Sequence, residues 1–142
     1  MATLSDFTRI ASAERFLGFV TSTRADRSVQ ASLVNMGVLT GPDADEVVGL
    51  VARGDARKLK NLRARPRTTL VVHHGWEWVA VEGDAQLIGP DDDATGELPA
   101  LLRAVFVAAG GTHDNWDEYD AVMARERRTA VLVPPARVYS NG

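Results

Sequence analysis

A run of short β-prone stretches joined by tight polar turns constrains this chain more than any other feature. Residues 18–23 and 29–39 are separated by a polar connection of hairpin length that includes Arg24, Ala25, Asp26 and Arg27, and Gly41, Pro42, Asp43 and Asp45 make a second turn before a strand over 46–51. Residues 68–73 are β-branched and apolar, His74 and Gly75 are turn material, and 76–88 reads as one long strand in which Gly83 marks a bend or bulge. The last strands, 129–133 and 137–140, are split by Pro134 and Pro135. Hairpin-linked strands pair antiparallel, and closing such a sheet removes its exposed edges. The expected fold is α+β, mainly β: a small closed or nearly closed antiparallel barrel with a few flanking helices. A doubly wound parallel sheet is disfavoured, because helices do not alternate with the early strands and no G-x-G-x-x-G or Walker-type loop occurs.

The helices are read from apolar spacing and stop signals. Ser5 is placed to cap a first helix with Phe7, Ile10, Ala13 and Leu17 on one side, and Pro66 halts a short helix over 55–65. Two more are expected over 98–109 and 114–127, after a loop opened by Pro90, Asp91, Asp92 and Asp93. With no internal repeat and no dividing linker, residues 1–142 form one expected domain. A chain of this length buries roughly 70% of its unfolded surface, enough for a core without crosslinks.

Charge is concentrated within that frame. Seven of the sixteen Lys and Arg residues, Arg53, Arg57, Lys58, Lys60, Arg63, Arg65 and Arg67, fall in one stretch of a chain whose net charge is −3. Strand, turn and cationic helix start make a phosphate-binding layout, because helix-start N–H groups already favour an anion and cations in the first turn oppose ordinary helix stability. The other reading of the cluster is a solvated basic face on a surface helix. A nucleic-acid module is disfavoured by the net charge and by the lack of aromatics interleaved with the basic residues.

Cysteine is absent, which removes disulfides, thiolate nucleophiles and cysteine-ligated metals and fits a reducing compartment. Residues 1–12 contain Asp6 and lack a continuous apolar core, so they read as neither signal peptide nor anchor, and no stretch approaches a membrane span. The expected location is cytoplasmic, without a membrane partner. No metal-ligand spacing and no Ser/His/Asp set emerges.

The segment GLVARGDARKLKNLRARPRTTLVV, followed by WEWVAVEGDAQLIGP, resembles the pyridoxamine-phosphate-oxidase-like split β-barrel superfamily, whose members bind flavin nucleotides or the deazaflavin F420. Arg57 and Lys58 match its basic pair, and residues 65–67 match its helix stop with arginine in place of the usual asparagine. The likeness spans most of the chain and looks closest to the F420-dependent branch labelled FDOR-B. It implies a homodimer with two cofactors in grooves between subunits and a small-molecule substrate.

Phosphate binding would then fall to Arg57 and Lys58, with Val51, Ala52 and Arg53 contributing from the strand end. Val34 and Asn35, on the strand segment 32–36, would lie against the redox ring. Flavin enzymes of this fold often carry a hydroxyl residue near that strand end; Ala52 stands there instead and counts against FMN. Lys60, Arg63 and Arg67 would meet the carboxylates of the longer F420 tail, whereas FMN ends in one phosphate. The arginine-bearing ending of true pyridoxamine-phosphate oxidases is missing, which disfavours vitamin B6 oxidation. The function implied is hydride transfer from reduced F420 to an electron-poor conjugated molecule such as an enone, quinone or tetrapyrrole-like compound. An FMN oxidoreductase of the same fold and a non-catalytic F420 carrier are the alternatives.

Trp76 and Trp78, two apart, are expected on one strand face, stacking on a planar ring or packing in a core or interface. His73 and His74 would point to opposite faces and so share no metal. The run Asp114, Asp117, Glu118 and Asp120 is explained by a helix N-terminus, with His113 in a local capping role.

Overall fold

Helix α1 (Leu4–Ala13) opens the computed structural model, which describes residues 1–142. Thr3, not Ser5, caps it. The Thr3 hydroxyl accepts the Asp6 N–H at 3.2 Å and the Asp6 carboxylate accepts the Thr3 N–H at 2.9 Å, satisfying two donors that a helix start otherwise leaves unpaired. Phe7, Ile10 and Ala11 are buried, whereas Ala13 faces solvent and Leu17 already belongs to the first strand.

β1 (Leu17–Thr23) and β2 (Val29–Asn35) form the expected hairpin. The single strand expected over 29–39 is two strands. The Met36 N–H donates to the Phe16 carbonyl at 2.8 Å, and the chain passes into a second sheet as β3 (Gly37–Thr40). Gly37 permits the passage, since a Cβ there would lie 2.1 Å from the Ala108 carbonyl oxygen. β4 (Glu46–Ala52) pairs with β3, α2 (Arg57–Ala64) follows, and β5 (Arg67–His74) and β6 (Glu77–Asp84) make a second hairpin.

The long strand expected over 76–88 also divides. The Ala85 N–H donates to the Pro66 carbonyl at 2.8 Å, and β7 (Gln86–Ile88) joins the second sheet. A 3-10 turn at Pro90–Asp92, helices α3 (Leu98–Ala108) and α4 (Trp116–Arg125), and strands β8 (Thr129–Val133) and β9 (Arg137–Ser140) complete the chain.

The five-stranded sheet has the order β2-β1-β5-β6-β9 and the four-stranded sheet β3-β4-β8-β7, with every pairing antiparallel. The main core lies between them: Val20, Leu70 and Val81 from one sheet meet Val48, Leu50 and Val131 from the other, with Phe7 of α1 and Leu59 and Leu62 of α2 in the same cluster. A second cluster joins Val47 and Leu132 to Leu102 and Val105 of α3 and Tyr119 of α4. The four-stranded sheet is thus covered on both faces, which is why β8 reads as an unbroken apolar run and all five of its residues are buried. The antiparallel α+β expectation holds. The outer face of the five-stranded sheet stays open: Phe19 and its cross-strand partner Leu33 are 43% and 54% exposed. No helix is long and apolar enough to cross a membrane.

Candidate functional site

The site is organised by the turn between β4 and α2. Helix α2 begins at Arg57, two residues later than the sequence predicted, because Ala56 is still extended (φ −64°, ψ 133°). Alanine has no side-chain acceptor, so no side chain caps the helix, and no acid stands in its first turn. The Leu59 N–H donates to the Ala56 carbonyl at 3.1 Å, so the Arg57 and Lys58 amides are the ones left to an outside acceptor, and the helix dipole makes an anion the favoured one. Leu59 and Leu62 anchor the helix in the core. The Asn61 amide, buried, donates to Ser22 Oγ and Gln30 Oε1, both at 3.1 Å, and Arg65 Nε donates to the Thr23 carbonyl at 2.8 Å. These polar contacts fix α2 against β1 and β2. Asn61 carried no sequence signal for that role, since its partners lie 31 and 39 positions away.

With Leu59 and Leu62 anchored inward, Arg57, Lys60 and Arg63, at successive threes, form a stripe that turns outward beside Leu59. They line one wall of a groove of about 600 Å³, whose floor is Gly54–Ala56 and whose far wall includes Arg127 and Thr129. Arg127 is the residue that sequence reading missed. It reaches the groove because Gly54 packs on its backbone and the Gly54 N–H donates to the Glu126 carbonyl at 3.1 Å.

The seven basic residues divide by partner. Arg53 Nε lies 3.6 Å from Asp55, Arg63 is bidentate to Asp92 at 2.8 and 3.3 Å, Arg67 is 3.1 Å from Asp84 on the neighbouring strand, and Arg65 is bound to backbone. Arg57, Lys58 and Lys60 have no carboxylate partner. Lys58 is half-buried, and burial pushes its ammonium pKa down, so it is a cation in want of a counter-charge. Lys58 does not line the groove with Arg57 and Lys60; its face of the helix is that of Asn61, toward β1 and β2. The expectation that Lys60, Arg63 and Arg67 would together meet a long anionic tail is corrected for Arg63 and Arg67, whose carboxylate partners lie within the chain.

A second pocket, about 350 Å³, is mainly apolar. Val34, Asn35 and Val51 line it with Phe106, Tyr119 and Met123. Asn35 spends its amide on the Arg15 carbonyl at 2.9 Å. The Tyr119 hydroxyl donates to the Leu102 carbonyl at 3.1 Å and burial raises its pKa, which keeps it protonated and occupied. Arg128 stands at the rim, paired with Glu126 at 2.8 Å. Two segments therefore join pocket to groove: Val51 faces the pocket while Gly54–Ala56 floor the groove, and Arg128 faces the pocket between Arg127 and Thr129 in the groove.

Ala52, between these, is buried in the main core. Its side chain does not face the groove, so its lack of a hydroxyl does not count against FMN as the sequence reading had it. Trp76 and Trp78 do not share a strand face. Trp76 lies in the turn after Gly75 (φ 59°), 93% exposed, and Trp78 packs edge-on to Tyr139 with ring centroids 6.0 Å apart. His73 pairs with Trp78 while Arg67 pairs with Asp84. The tryptophans are thus at the far end of the hairpin from α2, roughly 20 Å away at about 3.3 Å per residue, and one subunit does not bring the two together. His74 Nδ1 is 3.0 Å from Glu14 and His73 Nδ1 is 3.3 Å from the Gly75 carbonyl. At α4, Asn115 is the cap, with His113 Nδ1 accepting the Asn115 N–H at 3.0 Å. Asp120 turns back to Arg103 of α3.

No model of a known protein family matches the chain. Solved structures do. A conserved hypothetical protein of Mycobacterium tuberculosis, Rv2991, superposes with a TM-score of 0.71 at 18% identity, over 99% of this chain and 84% of that one. A pyridoxamine 5'-phosphate oxidase-related, FMN-binding protein of Nostoc punctiforme gives 0.66 at 10% identity, over 96% and 80%. A protein described as an F420 reductase gives 0.58 at 18% identity, over 88% and 90%. At such identities the likeness establishes the fold, an antiparallel split β-barrel with flanking helices.

Proposed function

We propose that this chain is an F420-dependent oxidoreductase of the FDOR-B type, transferring a hydride from reduced F420 to an electron-poor conjugated small molecule such as an enone, quinone or tetrapyrrole-like compound. One observation carries the reading: α2 starts without a cap and without an acid, and its Arg57, Lys58 and Lys60 have no carboxylate partner, whereas Arg53, Arg63 and Arg67 of the same cluster are paired. Unpaired cations beside free helix-start amides suit a phosphate. The adjoining apolar pocket at Val34, Val51 and Phe106 suits a flat ring joined to that phosphate by a short linker.

The deazaflavin supplies the hydride chemistry when bound, so the protein's share is to hold, orient and exclude water. Arg57 and Lys60 hold the phosphorylated tail in the groove, and Lys58 adds its charge from the neighbouring face. The segment 51–56 carries the molecule from groove to pocket. Val34, Val51 and Phe106 keep water from the ring.

Two copies complete the site in this reading. The open face of the five-stranded sheet, with Val29, Leu33 and Phe19 exposed, offers the apolar surface for a homodimer. FMN is the second reading, and a specific observation favours it. With Arg63 and Arg67 paired, fewer cations remain for a multi-carboxylate tail than the sequence suggested, and one phosphate needs only Arg57, Lys58 and Lys60. A non-catalytic F420 carrier is the third, in keeping with a pocket whose Tyr119 hydroxyl is already committed. Mixing reduced F420 with a panel of enones and quinones tests the enzyme reading: acceptor-dependent oxidation of F420 supports it, and binding without turnover of any acceptor leaves the carrier in its place.

A further inference from the structure

We propose that Arg127 is a reserve cation of the α2 groove, held by Asp91 until a ligand brings a second anionic group, so that this pair sets how many charges the site takes up. The inference rests on the groove being the anion site proposed above, and not on which cofactor fills it.

Two ion pairs close the end of the groove, and they are built differently. The Asp92 carboxylate accepts from the Gly89 N–H at 2.8 Å and from both terminal nitrogens of Arg63 at 2.8 and 3.3 Å. Arg63 first, and the Gly89 N–H second, hold that carboxyl below its usual range. Asp91 makes one contact, 2.8 Å to Arg127 Nη2, and its side chain is 86% exposed. Asp92 is therefore a structural tie, and Asp91 is a carboxylate that can leave for water at little cost.

Arg127 is fixed at its base, and at its tip it is held only by Asp91. Its N–H donates to the Ala124 carbonyl at 3.1 Å, its φ is 50°, and Gly54 packs on its carbonyl and Cβ. The guanidinium thus pivots from a set point on the wall opposite Arg57 and Lys60. A lone phosphate at the helix start is satisfied by Arg57, Lys60 and the α2 amides, and leaves Arg127 with Asp91. A ligand with further phosphate or carboxylate groups along the groove offers Arg127 a substitute, and charge-assisted contacts of this kind add up only when several act together.

Titration calorimetry with inorganic phosphate and inorganic triphosphate, on wild type, Asp91→Asn, Arg127→Gln and the double variant, tests this. D91N should bind triphosphate about fivefold more tightly, the worth of one such contact, with phosphate affinity unchanged. R127Q should lose triphosphate affinity by a similar factor, and D91N should have no effect in the R127Q background. Equal triphosphate affinity in wild type and D91N, no binding by either, or a D91N gain that survives in R127Q, overturns the proposal. Because both probes are inorganic, failure to bind F420 or FMN beside an Arg127-dependent D91N effect would sink the cofactor reading alone.

Discussion

Gly54 and Arg127, 73 positions apart, are packed so closely that a Cβ on Gly54 would lie 2.6 Å from the Arg127 carbonyl oxygen and 2.8 Å from the Arg127 Cβ. This contact sets the spacing between the helix start and the opposite wall of the groove. The offending atoms are backbone or close to it, so they cannot swing aside. Gly54→Ala should therefore cost about 1–3 kcal/mol, the usual range for overpacking. Chemical denaturation would measure that loss, and triphosphate binding should weaken with it as the two walls are pushed apart.

Lys58 predicts a conflict between stability and binding. Its pKa is lowered by burial, so the folded state holds its proton less firmly than the unfolded chain. Between the lowered folded pKa and the unfolded value of about 10.4 the unfolded chain binds more protons, so this residue's contribution to stability rises with pH across that window. Below the window the charged side chain opposes folding. Lys58→Met should raise the melting temperature at neutral pH while weakening phosphate binding. A lower melting temperature would show that the ammonium is better satisfied than its surroundings suggest.

The open sheet face predicts an oligomer. Phe19 and Leu33 are cross-strand partners, and Phe19 also pairs with Val71 on the next strand, giving a continuous apolar row. Leu33→Glu with Phe19→Glu should convert a homodimer into a folded monomer by sedimentation, and cofactor binding should fall with it if the partner helps to build the site. Wild-type protein that sediments as a monomer would remove the subunit interface from the account.

How far the sequence could be read is clearest at the two corners. The antiparallel pairing of β1 with β2 and of β5 with β6 was legible, because turn residues and apolar runs are local signals. Met36 and Ala85 were not: residues 29–39 and 76–88 look continuous, and what breaks them is a tertiary contact, Gly37 against Ala108 in one case and the Ala85 N–H on Pro66 in the other. The groove shows the same division. The cationic helix start was visible as letters, but Asp92 lies 29 positions from Arg63 and Asp84 lies 17 from Arg67, so the neutralisation of these two arginines was invisible. Arg127 was hidden for the same reason.

Asp92 gives an acid-side prediction. Its folded pKa is depressed, so its stabilising effect is present above the unfolded value of about 3.9 and is lost as pH falls through the lower folded value. Asp92→Asn should therefore be less stable than wild type at neutral pH by up to about 1 kcal/mol, as suits a partly exposed pair. The gap should close as pH drops below about 4. A gap that persists unchanged at lower pH would mean that the Asn side chain disturbs the Pro90–Asp92 turn for reasons other than charge.

The central claim is that the start of α2 grips the phosphorylated tail of a tricyclic redox cofactor. Its most direct measurement is an equilibrium titration of the purified protein with F420 and, separately, with FMN, repeated on the Arg57→Ala, Lys58→Ala double variant. Tight binding of one of the two is expected, F420 in the leading reading, with a loss of at least tenfold in the double variant, from two contacts of about 1 kcal/mol each. Binding of neither cofactor, or equal affinity in wild type and double variant, would contradict it.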